Sequence, residues 1–85
     1  MVRVYALTTC PYCKKTLKFL EENGIEPDVI FIDKLDSEKR EMAMREAYSH
    51  AGMYAVPVVV HNDTVIVGFD REKLERLVKE IKNES

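Results

Sequence analysis

The sequence predicts an α/β fold in which a four-stranded mixed sheet is flanked by three helices, in the order βαβαββα. Short apolar runs typical of strands alternate with stretches of helical periodicity. The strand–helix–strand beginning implies two parallel strands joined by a right-handed crossover. A tight Asn62-Asp63 turn joins two later apolar runs, which are therefore expected to form an antiparallel hairpin.

The first strand is predicted at Val2–Leu7 and the first helix at about Pro11–Asn23. The strand is apolar on both faces apart from Arg3, as is typical of a strand covered on both sides. Pro11 suits the first helical position because its fixed φ is already helical. Gly24 favours the end of the helix because it adopts the left-handed conformation readily. The apolar stripe of this helix is predicted to be Cys13, Leu17 and Leu20, widened by Phe19.

The second strand is predicted at Val29–Ile32, and Asp36 or Ser37 is expected to cap the second helix. Gly52 is the expected end of that helix. Spacing of i, i+3, i+4 and i+7 predicts its core-facing stripe. That stripe is Met44, Ala47, Tyr48 and Ala51, and Met42 is also expected to serve packing alone.

The last elements are predicted to be a strand at Val56–Val60, a return strand at Thr64–Val67 and a helix capped by Asp70. The core positions of this helix are Leu74, Leu77, Val78 and Ile81. His61 is expected to be a polar residue at the hairpin turn. His50, near the end of the second helix, is expected to be solvated or paired with the helix dipole.

The only two cysteines lie in the run Thr8-Thr9-Cys10-Pro11-Tyr12-Cys13, where the first strand turns into the first helix. Cys10 is thus expected at a helix N-terminus, where unpaired N–H groups and the helix dipole favour an anion. Because the thiolate is the nucleophilic form, Cys10 is the predicted attacking group, with Lys14 and Lys15 adding positive charge. Cys13 lies one turn later on the same face, where it can attack a mixed disulfide at Cys10 and release the product.

Three other roles for the cysteine pair are disfavoured by the sequence. Inert core thiols are not expected at a strand–helix junction. A zinc site normally needs four ligands, and only His50 and His61 remain, far apart in the chain. A structural disulfide across so short a loop would constrain the unfolded chain little.

Length, net charge and the lengths of the apolar runs exclude several classes of function. A length of 85 residues predicts one domain, residues 1–85. The net charge of −2, with both signs mixed along the chain, indicates neither a nucleic-acid nor an anionic-membrane partner. No apolar run approaches the length that spans a bilayer, so no membrane role is expected.

The protein is expected to be a cytoplasmic monomer. The chain runs directly into a strand pattern, so no targeting segment is expected and the expected location is the cytoplasm. A monomer is expected because no apolar helix stripe remains spare, and because no third cysteine is available for a covalent dimer.

Three segments resemble those of the glutaredoxin family. Thr9–Cys13 after the first strand resembles its redox motif, and Val56-Pro57 before a strand resembles its Val–cis-Pro. Gly68-Phe69-Asp70 before the last helix resembles its glycine-plus-acid segment. The resemblance covers essentially the whole chain and implies the thioredoxin fold in its minimal form. It also implies a dithiol–disulfide oxidoreductase, with no bound cofactor, that serves cell redox homeostasis and electron donation.

The resemblance implies roles at the redox motif. Cys10 matches the exposed attacking cysteine and Cys13 the buried resolving one. Pro11 and Tyr12 match positions in the substrate groove, where the aromatic ring lines one side.

Further roles are implied for the other two segments. The backbone of Val56 would pair with the cysteinyl backbone of a bound thiol substrate, and Pro57 would be the cis-proline that faces the disulfide. Phe69 would line the groove. Gly68 and Asp70 match positions that bind the γ-glutamyl end of glutathione, whereas the residues alone favour Asp70 as a helix cap; both interpretations stay open.

Three positions depart from the glutathione-dependent pattern. Leu7 stands where those proteins often carry Lys or Arg, Ala55 where they usually carry Thr, and Val67 where they often carry the first of two glycines. These departures and the Gly-Phe-Asp segment resemble more closely the redoxins that supply ribonucleotide reductase. Protein disulfides or small-molecule disulfides are the expected substrates, and either glutathione or a flavoprotein thioredoxin reductase is the expected reductant.

An alternative of another class is a glutathione-dependent module that binds an iron–sulfur cluster. Some glutaredoxins bridge such a cluster between two subunits through the first cysteine and glutathione. Pro11-Tyr12 in place of Gly-Phe disfavours this role here. A protein that only docks partners is disfavoured because both cysteines are retained in the reactive position.

Overall fold

A computed structural model describes residues 1–84 and has the predicted element order. The strands are β1 (Arg3–Ala6), β2 (Asp28–Phe31), β3 (Val58–His61) and β4 (Thr64–Val67). The α-helices are α1 (Pro11–Glu22), α2 (Ser37–Ala51) and α3 (Arg71–Asn83). A short 3-10 helix, Ile32–Lys34, follows β2 and was not predicted; it takes Ile32 out of the predicted second strand.

The four strands form one mixed sheet in the order β2-β1-β3-β4. The parallel pair joins Val4 to Val29, and the antiparallel pairs join Val4 to Val59 and Val59 to Ile66. The predicted parallel pair and antiparallel hairpin are therefore confirmed. The hairpin turn has two residues between the strands, of which Asn62 has a φ of 52°.

Successive residues of β1 pack on opposite faces of the sheet, as the pleat requires. Val4 and Ala6 join a cluster with buried leucines of α1 and α3, whereas Tyr5 joins a cluster with residues of α2. The buried leucines are Leu20, Leu74 and Leu77. Helices thus cover both faces, which explains why β1 is apolar on both sides.

The predicted core-facing stripe of α2 is confirmed at Ala47 and Ala51 but is wrong at Met44 and Tyr48. The buried residues of this helix are Ala43 and Ala47, whereas Met44 and Tyr48 are 41% and 43% exposed. The large ring of Tyr5 is buried against these alanines, so the helix meets the sheet through its small residues. Met42 is also exposed, so its predicted packing role is wrong. The monomer stays a prediction, but its premise that no apolar helix surface is spare is incorrect.

Aspartate side chains cap the N-termini of α2 and α3, as predicted. The Asp36 carboxylate accepts the N–H of Lys39 at 2.9 Å, and the Asp70 carboxylate accepts the N–H of Lys73 at 3.1 Å. Each side chain satisfies a donor that the first turn of a helix leaves without an intrahelical partner. Asp70 is therefore the N-cap of α3, as the residues alone favoured.

His61 borders the hairpin turn as predicted, but it is buried. It closes β3 with only 4% of its surface exposed. Its Nδ1 lies 3.1 Å from the Met1 carbonyl oxygen, and its Nε2 lies 3.2 Å from the Glu84 carboxylate oxygens. These contacts tie the chain beyond α3 to the start of the chain.

Replacing Leu20 with Ala is expected to lower the free energy of unfolding by about 2–5 kcal/mol, because Leu20 is fully buried where α1 packs on the sheet. That is a large share of the stability of a chain this short, which is about 4–13 kcal/mol. Urea denaturation followed by circular dichroism measures the change. Lys18→Ala, at an exposed position of the same helix, is the control and should stay within about 0.5 kcal/mol. A loss below about 1 kcal/mol for Leu20→Ala would contradict this packing.

Candidate active site

Cys10 is the residue at which β1 turns into α1. Its N–H donates to the Leu7 carbonyl at 3.3 Å, and its own carbonyl accepts the N–H of Lys14 at 3.2 Å. Its Sγ accepts the N–H of Cys13 at 3.2 Å, so the side chain is the N-cap of α1. A thiolate is a better acceptor than a thiol, and the positive end of the helix dipole favours it further. Cys10 is half-buried and is therefore the more exposed of the two cysteines.

Cys13 lies behind Cys10 and is 1% exposed. Burial, aided by its hydrogen bond to Cys10, raises the pKa of Cys13 to about 12. A thiol of that pKa carries roughly a thousandfold less thiolate at neutral pH than an ordinary one. The two thiols are therefore unequal: the accessible one is at a helix N-terminus and the buried one keeps its proton.

An aspartate that the sequence analysis missed holds the loop before Cys10. The N–H of Thr8 donates to Asp33 Oδ1 at 3.0 Å, and the Thr8 hydroxyl donates to Oδ2. These hydrogen bonds hold the pKa of Asp33 below its usual range. Because β1 and β2 are parallel, the segments after them meet at one edge of the sheet, and this rule could have identified the pair.

The Val56–Pro57 peptide bond is cis, as the resemblance implied. Cys10, Val56 and Phe69 are partly buried and pack against one core cluster, which also contains Cys13. Pro57 is fully buried. The fold therefore brings the predicted redox motif, the proline segment and the glycine segment to one place.

The backbone N–H of Gly68 is hydrogen-bonded to the cis-proline rather than left without a partner in the protein. Its φ is 78°, and its N–H donates to the Pro57 carbonyl at 2.8 Å. That N–H is consequently engaged inside the protein. The carboxylate of Asp70 is also engaged, at the first turn of α3. A role of either residue in binding glutathione stays a prediction.

The other predicted groove residues lie on the surface. Pro11 is exposed at the first position of α1, and Tyr12 is 59% exposed. The Nζ of Lys15 lies 5.4 Å from the centre of the Tyr12 ring, a cation–π contact that restrains the ring.

An apolar groove of about 200 Å³ lies beside this site. Its lining residues come from the end of β1, from α2 and from the segment before Pro57. They are Leu7, Ile32, Met44, Ala47, Tyr48, Met53, Tyr54, Ala55 and Val56. The rings of Tyr48 and Tyr54 are 4.4 Å apart, centre to centre, and so form one aromatic wall. Sequence analysis assigned Met44 and Tyr48 to the core; two bulky residues after Gly52, Met53 and Tyr54, were the signal it missed.

Residues 1–84 contain neither a candidate metal site nor a candidate membrane span. No three His, Cys, Asp or Glu side chains are grouped so that they could hold a metal ion. None of the helices in that range is long and apolar enough to cross a membrane.

Comparison with known proteins gives one consistent result. The sequence model of the family described as glutaredoxin matches residues 2–66. The solved structure of a glutaredoxin from Archaeoglobus fulgidus has a TM-score of 0.88 and 45% identity, covering 92% of this chain and 85% of that one. The glutaredoxin-like protein NrdH of Lactococcus lactis is 35% identical over 77 residues, covering 91% of this chain and 99% of the relative.

A further solved structure is more distant. NrdH-redoxin from Escherichia coli is 25% identical with a TM-score of 0.70, covering 89% of this chain and 92% of that one. It is described as a glutaredoxin-like protein with a thioredoxin-like activity profile.

Limiting iodoacetamide at neutral pH is expected to modify Cys10 and leave Cys13 unmodified, because burial keeps Cys13 protonated. Tandem mass spectrometry must locate the label, because both cysteines lie between the trypsin sites Arg3 and Lys14. The same reaction in concentrated guanidinium chloride is the control, in which both cysteines should react. Equal labelling of the two cysteines in the folded protein would contradict their assigned environments.

Proposed function

Because this chain belongs to the glutaredoxin family, whose members are thiol–disulfide oxidoreductases, we propose that it reduces disulfides by cycling Cys10 and Cys13 between dithiol and disulfide. The observation that carries the proposal is the inequality of the two thiols. Cys10 caps α1 at an accessible position, and Cys13 is a buried thiol one turn behind it. That arrangement suits an attacking group and a resolving group.

In the first step the Cys10 thiolate attacks one sulfur of the substrate disulfide. A bond forms between the Cys10 sulfur and that sulfur, the substrate S–S bond breaks, and the other substrate sulfur leaves as a thiolate that takes a proton from solvent. The N–H of Cys13 and the dipole of α1 stabilise the charge of Cys10 before attack.

In the second step Cys13 gives its proton to solvent and attacks the Cys10 sulfur. The Cys10–Cys13 disulfide forms, the bond between Cys10 and the substrate breaks, and the second substrate sulfur leaves as a thiolate that takes a proton from solvent. Burial is the main cause of the raised pKa of Cys13, and the hydrogen bond and charge of Cys10 add to it. Bonding of Cys10 to the substrate removes the charge of Cys10, whereas the burial of Cys13 remains. Two electrons from a reductant then return the pair to the dithiol.

Substrate contacts follow from the residues around Cys10. We assign the mixed disulfide to a groove formed by Pro11 and Tyr12 on one side and by Val56 and Phe69 on the other. Pro57, expected to face the disulfide, is fully buried and does not line this groove. Tyr12 is 59% exposed beside Cys10 in sequence, and its ring offers an apolar face to a bound substrate. Val56 precedes the cis bond, at the position that pairs with substrate backbone in the family.

We assign a flavoprotein reductase of the thioredoxin reductase type as the electron source, rather than glutathione. Leu7 and Ala55, two of the departures from the glutathione-dependent pattern, line the apolar groove. A carboxylate placed there would lose hydration without gaining a partner. The thioredoxin-like activity profile described for the Escherichia coli relative is consistent with this choice. The proposed setting is a reducing cytoplasm, in which a free dithiol is the resting state.

Cys10→Ser is expected to abolish reduction of a protein disulfide such as insulin, because no other thiol is accessible to attack. Cys13→Ser should also lose steady turnover while still reacting once with substrate. Insulin turbidity with dithiothreitol as electron donor measures both. Full activity of Cys10→Ser would refute the proposed nucleophile.

A coupled assay of NADPH oxidation separates the two reductants. We expect turnover of a model disulfide with thioredoxin reductase alone, and at least about tenfold less with glutathione plus glutathione reductase, since an apolar pocket rejects a charged group by at least such factors. The control is a reaction without the redoxin. Turnover with the glutathione system alone would show that Leu7 and Ala55 do not impair glutathione use.

A further inference from the structure

The exposed apolar side chains of this protein are not scattered. Seven large apolar residues within residues 1–84 are more than about a third exposed, and four of them line the apolar groove. These four are Met44, Tyr48, Met53 and Tyr54. Single exposed apolar residues are ordinary, whereas a contiguous group marks an interaction surface.

The apolar groove is continuous with the proposed redox site. Leu7 lines it, and the Leu7 carbonyl accepts the N–H of Cys10 at 3.3 Å. Val56 lines it too, and Val56 and Cys10 pack against the same core cluster. A chain whose cysteine is bonded to Cys10 and lies along Val56 advances about 3.3 Å per residue. Side chains one or two residues from that cysteine therefore reach the groove.

We propose that the apolar groove receives a bulky apolar side chain of the protein substrate, located within two residues of the reacting cysteine. This inference rests on the proposed function and specifies its substrate class. It assigns Tyr48 and Tyr54 as specificity-determining residues, because their rings, in contact at a tilt of 41°, form the wall that such a side chain would contact.

The size of the groove favours a single side chain over larger occupants. A cavity of about 150 Å³ holds a benzene molecule. The apolar groove, at about 200 Å³, thus fits one aromatic or branched aliphatic side chain. A second copy of this chain is a poorer occupant, because a stable dimer buries more than about 1,000 Å² of surface. The methionines add adaptable contacts that accept more than one side-chain shape.

Short peptide disulfides test the inference. The parent is the symmetrical disulfide of acetylated, amidated Ser-Ser-Cys-Ser-Ser, and each of four others replaces one serine by phenylalanine. Reduced protein is mixed with each peptide, the reaction is quenched with acid, and chromatography gives the second-order rate constant. The ratio to the serine parent isolates the contribution of the apolar side chain from that of the redox chemistry.

We expect at least one phenylalanine peptide to react about tenfold faster than the parent, the discrimination that an apolar pocket ordinarily gives. Tyr54→Ser should bring that ratio close to one. Tyr54 is 73% exposed, so its replacement removes little packing. Met42→Ser is the matched control, because Met42 is 57% exposed on the same α2 helix as Tyr48 but does not line the groove; it should keep the ratio.

Other outcomes contradict the inference in distinguishable ways. Equal rates for all peptides, or a ratio that Tyr54→Ser leaves unchanged, would overturn the groove assignment while leaving the redox function intact. A dimer in sedimentation at the assay concentration that dissociates in Tyr54→Ser would identify a second copy as the occupant instead. Failure to reduce any of the five peptides would contradict the proposed function itself, and the groove assignment with it.

Discussion

The structure depends on one local arrangement, the direct turn from β1 into α1 with the Cys10 sulfur as the helix cap. At most helix N-termini a Ser, Thr, Asp or Asn oxygen accepts the orphan N–H. Here that acceptor is a sulfur, which receives the N–H of Cys13. The same contact therefore begins the helix and stabilises negative charge on the nucleophile. Local folding and the proposed chemistry therefore depend on the same hydrogen bond.

The surrounding fold keeps this arrangement in place and makes the two thiols unequal. Asp33, in the 3-10 helix that follows the neighbouring parallel strand, accepts hydrogen bonds from Thr8 and so holds the loop that enters α1. The core cluster on the α1 and α3 face of the sheet encloses Cys13 and raises its pKa. The cis Val56–Pro57 segment is tied to Gly68 by a backbone hydrogen bond. Cys10, Val56 and Phe69 pack against the same core cluster.

Most of the fold could be predicted because its signals are local. Strand periodicity, the Asp36 and Asp70 caps and the position of Cys10 depend on residues near one another in sequence. The α2 face could not be predicted in this way, because Ala43 and Ala47 form a stripe as regular as Met44 and Tyr48. The choice between those stripes depends on the Tyr5 ring in another element.

Parts of the site depend on the same kind of tertiary contact. The pairing of Thr8 with Asp33 joins segments that lie 25 residues apart. The hydrogen bond from the Gly68 N–H to the Pro57 carbonyl is another such contact, and no local sequence pattern predicts it. Sequence spacing predicted the positions of Cys10 and Cys13 at the start of α1, whereas the groove proposed to receive a substrate side chain arises only when the segments pack. The apolar groove beside Val56 is the clearest example.

The central claim is that Cys10 forms the bond to substrate and Cys13 releases it. Trapping the intermediate tests this most directly: Cys13→Ser is incubated with a protein disulfide, and intact and tandem mass spectrometry locate the adduct. We predict a stable mixed disulfide on Cys10, and no adduct when Cys10→Ser is treated alike. A stable adduct on Cys13 in the Cys10→Ser protein, formed as fast as that on Cys10, would contradict the assigned roles of the two thiols.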